Sequence, residues 1–291
     1  MRIEKECKEC ILAQAVRVGE ILNLDLAQKK AVIALAEKHV KSFDYALTPP
    51  QNAYKLYEEI ASFLNTEDIY KEIKATSTKK AEELLPECEK LLRNASDILL
   101  SAAKIAVAGN VMDLASRVQY GLKEELKNIT NLKFEIDDFY ILKDALASAR
   151  EIVYICDNAG EEVFDKLFIR TIKRFYPLNH IYYFTRGKPI INDITYKDAI
   201  NSGLNEYAEV IDSGVPTPGF VYSMASHEAQ EKFKRADIII AKGMGNFECM
   251  SENEQTNIFY LFKVKCAPVG RFAQAKLGSI VCKNACSTKK F

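Results

Sequence analysis

An apolar run, Glu151-Ile-Val-Tyr-Ile-Cys156, ends abruptly in Asp157-Asn158-Ala159-Gly160, and the chain then turns helical through Glu161-Glu162-Val-Phe-Asp165. This is the pattern of a buried strand that delivers two oxygen-bearing side chains to a strand-to-helix turn. Open α/β sheets bind ligands just beyond the carboxyl ends of their strands, so Asp157 and Asn158 are candidates for a hard-metal site. The competing reading is an Asx turn that simply starts the helix.

Three further runs end in the same way: Tyr183-Phe184 in Thr185-Arg186-Gly187, Val210-Ile211 in Asp212-Ser213-Gly214, and Ile240-Ala241 in Lys242-Gly243. If the strands are parallel, all four endings meet on one edge and gather two carboxylates, an amide, an arginine and a lysine. Mg²⁺ and Mn²⁺ take oxygen ligands and are commonly held by one to three side chains, with water and phosphate oxygens completing the shell. Arg186 and Lys242 would neutralise phosphoryl oxygens. The segment Arg186-Gly-Lys-Pro189-Ile-Ile-Asn192-Asp193-Ile-Thr195 adds another acid–amide pair, in which Asp193 is either a metal ligand or, with Thr195 as the alternative, the cap of the helix running to Asn201.

Other polar turns are less specific. Gly243-Met-Gly245-Asn246-Phe-Glu248 follows a strand and begins a helix, but it is neither GxGxxG nor GxxxxGK[ST]. Ala108-Gly109-Asn110-Val-Met-Asp113 is expected to close a helix, with Asn110 and Asp113 at the site wall. Glu161, Gly243 and Asn246 complete the expected substrate contacts. Cys7-Lys-Glu-Cys10 has the spacing of half a zinc site that Cys282 and Cys286 would complete; reduced structural thiols or a redox pair are the alternatives. Cys88, Cys156, Cys249 and Cys266 read as isolated structural residues, and so do the three scattered histidines, His39, His180 and His227.

The elements that position these residues fall into two textures. From Glu4 to about Ala108 apolar residues recur at helical spacing, with a new helix starting at Thr48-Pro49-Pro50 and with Asn65-Thr66-Glu67-Asp68 stopping one helix and capping the next. Beyond that, strand candidates at 151–156, 180–185, 207–211, 236–241, 256–263 and 278–282 alternate with helical stretches, the pattern of a parallel sheet covered by helices. The division expected is a helical part over 1–105 and an α/β part over 106–291, with no flexible linker between them.

The 291 residues suffice for a sizeable core, and 40 Lys and Arg balance 40 Asp and Glu. That balance argues against a nucleic-acid footprint or a polybasic membrane anchor. With no leader-like N-terminus and no run long enough to cross a bilayer, a cytoplasmic protein is expected, its eight cysteines mostly thiols. An oligomer is compatible with all of this.

Taken together, Cys7-x-x-Cys10 with Gln14, Asp68-Ile-Tyr70 with Lys74, Gly109-Asn110-x-x-Asp113, Asp157-Asn158-Ala-Gly160-Glu161, Arg186-Gly-x-Pro189-Ile-x-Asn192-Asp193-x-Thr195 and Lys242-Gly-x-Gly245-Asn246-Phe-Glu248 resemble the metal-dependent damage-control phosphatase family over almost the whole chain. The Cys-x-x-Cys start looks like its microbial branch. The resemblance implies a helical N-terminal part and a three-layer α/β/α, Rossmann-like domain. It also implies a divalent metal (Mg, Mn, Co or Ni) held by Asp157, Asn158 and Asp193, with Lys242 near the phosphate of a small phosphorylated metabolite. The expected reaction is phosphomonoester hydrolysis, with Asp157, Lys242 and Arg186 as its catalytic groups. Two rival readings are methyl transfer from S-adenosylmethionine to a carboxylate, for which no glycine-rich adenosyl loop is evident, and a non-catalytic nucleotide- or metal-binding module.

Overall fold

Local chemistry sets the first helices. Asp25 accepts from the backbone N–H of Gln28 at 2.8 Å while the Gln28 side chain accepts from that of Asp25, a capping box that starts α2 (Leu26–Lys41) after α1 (Lys5–Ile21). Thr48 and Gln51 repeat it on either side of Pro49-Pro50, so α3 (Pro49–Phe63) starts where proline and cap residues require. The structure, a computed structural model, describes residues 1–111, 128, 131–253 and 255–288.

The next turn departs from expectation, because Asp68 does not cap α4 (Lys71–Arg93). The N-cap is Tyr70, without a side-chain bond, and Asp68 accepts from its N–H at 2.9 Å. The reason lies in Lys74, a buried ammonium that needs compensation and takes it from Asp68 at 2.6 Å and Asp198 at 2.7 Å.

Val32, Ala36 and Val40 repeat at intervals of four and share an apolar cluster with Ile11, Ala15 and Val18 of α1 and Leu56, Tyr57 and Ile60 of α3. Ile190, from the loop after a sheet strand, enters the same cluster. By contrast Leu84, Cys88 and Leu92 of α4, with Ala102, Ala103 and Ala106 of α5 (Ile98–Val111), pack against the sheet.

Among the described residues the strands form one seven-stranded sheet, ordered β1-β7-β6-β5-β2-β3-β4. They are β1 (Ile136–Asp137), β2 (Glu151–Ile155), β3 (His180–Thr185), β4 (Glu209–Asp212), β5 (Ile238–Lys242), β6 (Ile258–Lys263) and β7 (Ile280–Asn284). Helices α6 (Phe139–Leu146), α7 (Glu161–Phe175), α8 (Tyr196–Asn201), α9 (His227–Arg235), α10 (Gly243–Met250) and α11 (Ala267–Ala273) alternate with them. Ile152 and Tyr154 face the cluster containing α5 and α7, and Val153 and Ile155 face the cluster containing α9, α10 and α11, which gives three layers.

The β2 to β6 pairings are parallel as expected, but β7 runs antiparallel to β6 and parallel to β1, a two-residue strand too short to leave a pattern in the sequence. Strands β4, β5, β6 and β7 each begin two residues later than the runs expected for them. The chain lays β3 and β4 on one side of β2, then returns to place β5 on the other. The carboxyl ends of β2 and β5 therefore flank the topological switch point, where doubly wound sheets open a crevice. Among the described residues no helix is long and apolar enough to cross a membrane.

Candidate active site

Asp157 emerges from β2 at this crevice, and Gly243 begins α10 at the end of β5. Gly243 has φ +79, and a β-carbon there would fall 1.9 Å from Asp157 Oδ2, so the acid rests on bare backbone. Asp193 reaches the same place because its loop is laced to the β2 turn. The Ile194 N–H donates to Asp157 O at 3.1 Å and the Ala159 N–H to Asn192 O at 2.8 Å. Ile191, in the same loop, holds φ 46, a conformation that branched side chains rarely adopt. Thr195 rather than Asp193 caps α8, in a capping box with Asp198, which leaves Asp193 for the crevice.

Asn158 donates from Nδ2 to Asp157 Oδ2 at 2.8 Å and to Glu161 Oε1 at 3.0 Å. Its amide hydrogens are thereby used, and Oδ1 is the atom a cation can take. Burial first, then the charges of Glu161 and Asp193, push the Asp157 carboxyl well above the usual carboxylate range. Desolvated acids crowded in this way fit a bound cation. Among the described residues no three His, Cys, Asp or Glu side chains could hold a metal by themselves, and the donors expected from the sequence here are two carboxylates and one amide oxygen. That set suits a hard divalent ion which keeps water or phosphate oxygens in its shell.

The two expected phosphate-binding cations are placed differently. Lys242 is fully buried behind the acids, its Nζ 3.1 Å from Glu161 Oε2 and 2.7 Å from Asp165 Oδ1. Burial alone would lower its pKa, but Asp165 and Glu161 more than offset this and raise it. Asp165 also accepts from the hydroxyls of Tyr154 at 2.7 Å and Tyr183 at 2.9 Å. Arg186 donates from Nε to Asp193 Oδ2 at 2.6 Å and from Nη2 to Cys156 O and Asn246 Oδ1, while its Nη1 has no partner among the described residues. Asn246 is itself a cross-tie, accepting from the Phe220 N–H at 2.7 Å and donating to the carbonyls of Cys156 and Lys242.

Over the crevice lies a cavity of about 890 Å³, walled on one side by α1, α3 and the start of α4 and on the other by the strand ends. Asp157, Asn158 and Asp193 line it; Lys242, Arg186, Glu161, Gly243 and Asn246 do not. The carboxylate of Asp212 is also absent from it: β4 is the edge strand, and Asp212 is exposed and accepts from the Gly214 N–H. Asn110 lies in the last turn of α5, its side chain outside the described residues, and Asp113 lies outside them altogether. Gly109 brings α5 against Glu161, since a β-carbon there would meet Glu161 Cγ at 2.8 Å.

Lys265, Arg17 and Tyr57 line the cavity as well and were not singled out from the sequence; Tyr70 and Glu248, which also line it, were named there only within motifs and given no site role. Lys265 follows β6 as the other polar groups follow their strands, but without the adjacent glycine that marked them. Asp165 carried a readable signal: it stands one helical turn after Glu161 and one before Ile169 on the buried face of α7.

Cys7 and Cys10 are on the helical wall of this cavity, with Cys266 also lining it rather than being isolated. Cys282 is buried within β7 and Cys286 is exposed in the turn after it, so neither completes a four-thiol site with Cys7 and Cys10. Strand pairing fixes Cys282 opposite Leu261, away from the cavity.

Residues 3–281 match the family described as the damage-control phosphatase ARMT1-like domain. The chain is 32% identical over 286 residues to a damage-control phosphatase of Pyrococcus horikoshii, covering 97% of this chain and 98% of that one. It is 28% identical to a damage-control phosphatase of Archaeoglobus fulgidus, covering 97% and 99%. The crystal structure of a DUF89 family protein from Pyrococcus horikoshii superimposes with a TM-score of 0.91 at 31% identity, over 98% of this chain and 99% of that one.

Proposed function

Because the chain belongs to the damage-control phosphatase ARMT1-like family and is a phosphatase, we propose that it hydrolyses small phosphate monoesters with the help of a divalent metal in the cavity above β2 and β5. The observation that carries this reading is the pair of buried acids, Asp157 and Asp193, brought with Asn158 to the cavity floor at the switch point.

In this reading Asp157, Asn158 Oδ1 and Asp193 hold Mg²⁺, Mn²⁺, Co²⁺ or Ni²⁺. The metal would polarise the phosphorus centre and lower the pKa of a bound water. Lys265 is the cation that meets the phosphoryl oxygens. It lines the cavity, and of the nearby cations it does most to favour ionised Asp157, ahead of Arg186. Lys242 and Arg186 act through others and are positioning residues. Lys242 fixes Glu161, which shares the Asn158 amide with Asp157, and Arg186 fixes the orientation of Asp193. Phosphoryl transfer rests mainly on such positioning and charge stabilisation.

The test is phosphate release from an aryl phosphate and a panel of sugar phosphates, using chelated protein with each metal restored in turn, beside Asp157→Ala. Metal-stimulated release abolished by the substitution supports the assignment. Full activity in Asp157→Ala, or no release with any metal, overturns it.

A further inference from the structure

The cavity of about 890 Å³ is far larger than a phosphoryl group, and its walls hold a second cation besides Lys265. Arg17 projects from α1 on the helical wall and, like Lys265, takes part in no ion pair among the described residues. Its charge reaches the hydroxyls of Tyr57 and Tyr70, whose pKa values burial raises and Arg17 opposes. Tyr57 is locked in place, donating to Gln14 Oε1 at 2.5 Å, and Gln14 precedes Arg17 by three residues on the same helical face. The guanidinium therefore belongs to a built wall of tyrosine and glutamine.

Position along α1 separates the two cations. Arg271, six residues after Lys265, pairs with Glu4 and Glu6 at the start of α1, so the Lys265 end of the cavity faces the start of that helix. Arg17 lies seven residues beyond Cys10, roughly 10 Å further at the rise of an α-helix. Two of the acids on the cavity wall are already engaged: Glu6 pairs with Arg271, and Asp193 with Arg186.

We propose that the substrate carries a second anionic group, a carboxylate or a further phosphate, which Arg17 binds while the scissile phosphate lies between Lys265 and Asp157. This rests on the phosphatase reading and specifies its substrate class. The fork of a guanidinium suits either anion, and the offset of about 10 Å along α1 suits the two ends of a small sugar bisphosphate. Arg17 is exposed, so its replacement leaves the core untouched.

The experiment compares kcat/KM for a hexose bisphosphate and the corresponding hexose monophosphate, with one metal, in the wild type, Arg17→Gln and Arg17→Lys. A charge-assisted contact corresponds to about tenfold or more, so the wild type is expected to favour the bisphosphate by that factor. Arg17→Gln should lose the preference through KM, and Arg17→Lys should recover part of it. An equal preference in wild type and Arg17→Gln overturns the proposal. If neither ester is turned over, release from the aryl phosphate under the same conditions decides the phosphatase reading separately, and calorimetric binding of both esters to metal-free protein still reads Arg17: bisphosphate affinity unchanged in Arg17→Gln overturns its role, and a selective loss upholds it.

Discussion

The carboxylate of Asp157 rests against the α-carbon of Gly243, in a gap where a β-carbon would come within 1.9 Å of Oδ2 and 2.1 Å of Cγ. The first residue of α10 thus sets where the acid at the end of β2 can stand. The same close approach joins the two strands that flank the switch point, β2 and β5.

Gly243→Ala is expected to displace Asp157 and with it the metal. The positive φ of 79 adds backbone strain of about 1–2 kcal/mol, and a displacement of the order of 1 Å at a phosphoryl-transfer site costs about 100-fold in rate. Metal-stimulated aryl phosphate hydrolysis, measured beside a thermal melt, checks this. A variant that keeps wild-type turnover would show that Asp157 has room to spare.

Arg186 makes a different kind of prediction, because it ties three elements together from a fully buried position. Arg186→Met leaves Asp193 without its cation and removes one of the two donors that Cys156 O and Asn246 Oδ1 each have. Removing one partner of a buried ion pair costs about 3–5 kcal/mol, so a fall in denaturation midpoint should accompany any loss of activity. Loss of activity with an unchanged midpoint would instead indicate an arginine acting directly on substrate.

The strand ends around Asp157, Arg186 and Lys242 were legible because an apolar run that stops at a charge beside a glycine is a local signal, and parallel pairing then carries all such ends to one edge. What was not legible depends on depth and on non-local packing. Lys242 and Arg186 read as phosphate ligands, yet Asp165 and Asp193 hold both below the cavity floor, and the sequence does not mark which way a strand-end side chain turns. Lys265 lacked the glycine, and Arg17 and Tyr57 become site residues only when α1 and α3 close over the sheet. The edge position of β4 removes Asp212, and edge position follows from strand order, which alternating runs do not encode.

Glu248 predicts a pH dependence of stability. Burial raises its pKa from 4.5 to about 7, opposed by the N-terminal ammonium of Met1. The folded state therefore binds this proton more tightly than the unfolded chain. Its contribution is fully present below pH 4.5 and is lost as pH rises through about 7. Glu248→Gln should abolish that part of the slope and, above neutrality, gain up to about 3 kcal/mol over the wild type. Urea denaturation of metal-free protein at pH 5 and pH 8 measures the difference. Parallel shifts of wild type and variant between the two pH values would show that Glu248 titrates alike in both states.

Lys265 and Lys242 separate binding from scaffolding. Lys265 is exposed, lines the cavity and pairs with no acid among the described residues, so Lys265→Ala should leave the melting temperature near that of the wild type. If its ammonium meets the phosphoryl oxygens, kcat/KM for an aryl phosphate should fall by about 10- to 100-fold, the worth of a hydrogen bond to a charged group. Lys242→Ala, in contrast, leaves Glu161 and Asp165 facing each other without their shared cation and should lower stability by about 3–5 kcal/mol. A double comparison of melting temperature and kcat/KM distinguishes the roles. Should Lys265→Ala keep full kcat/KM while Lys242→Met retains its fold and loses turnover, the phosphate-binding role would return to Lys242, and the pair it makes with Asp165 would have to open during the reaction.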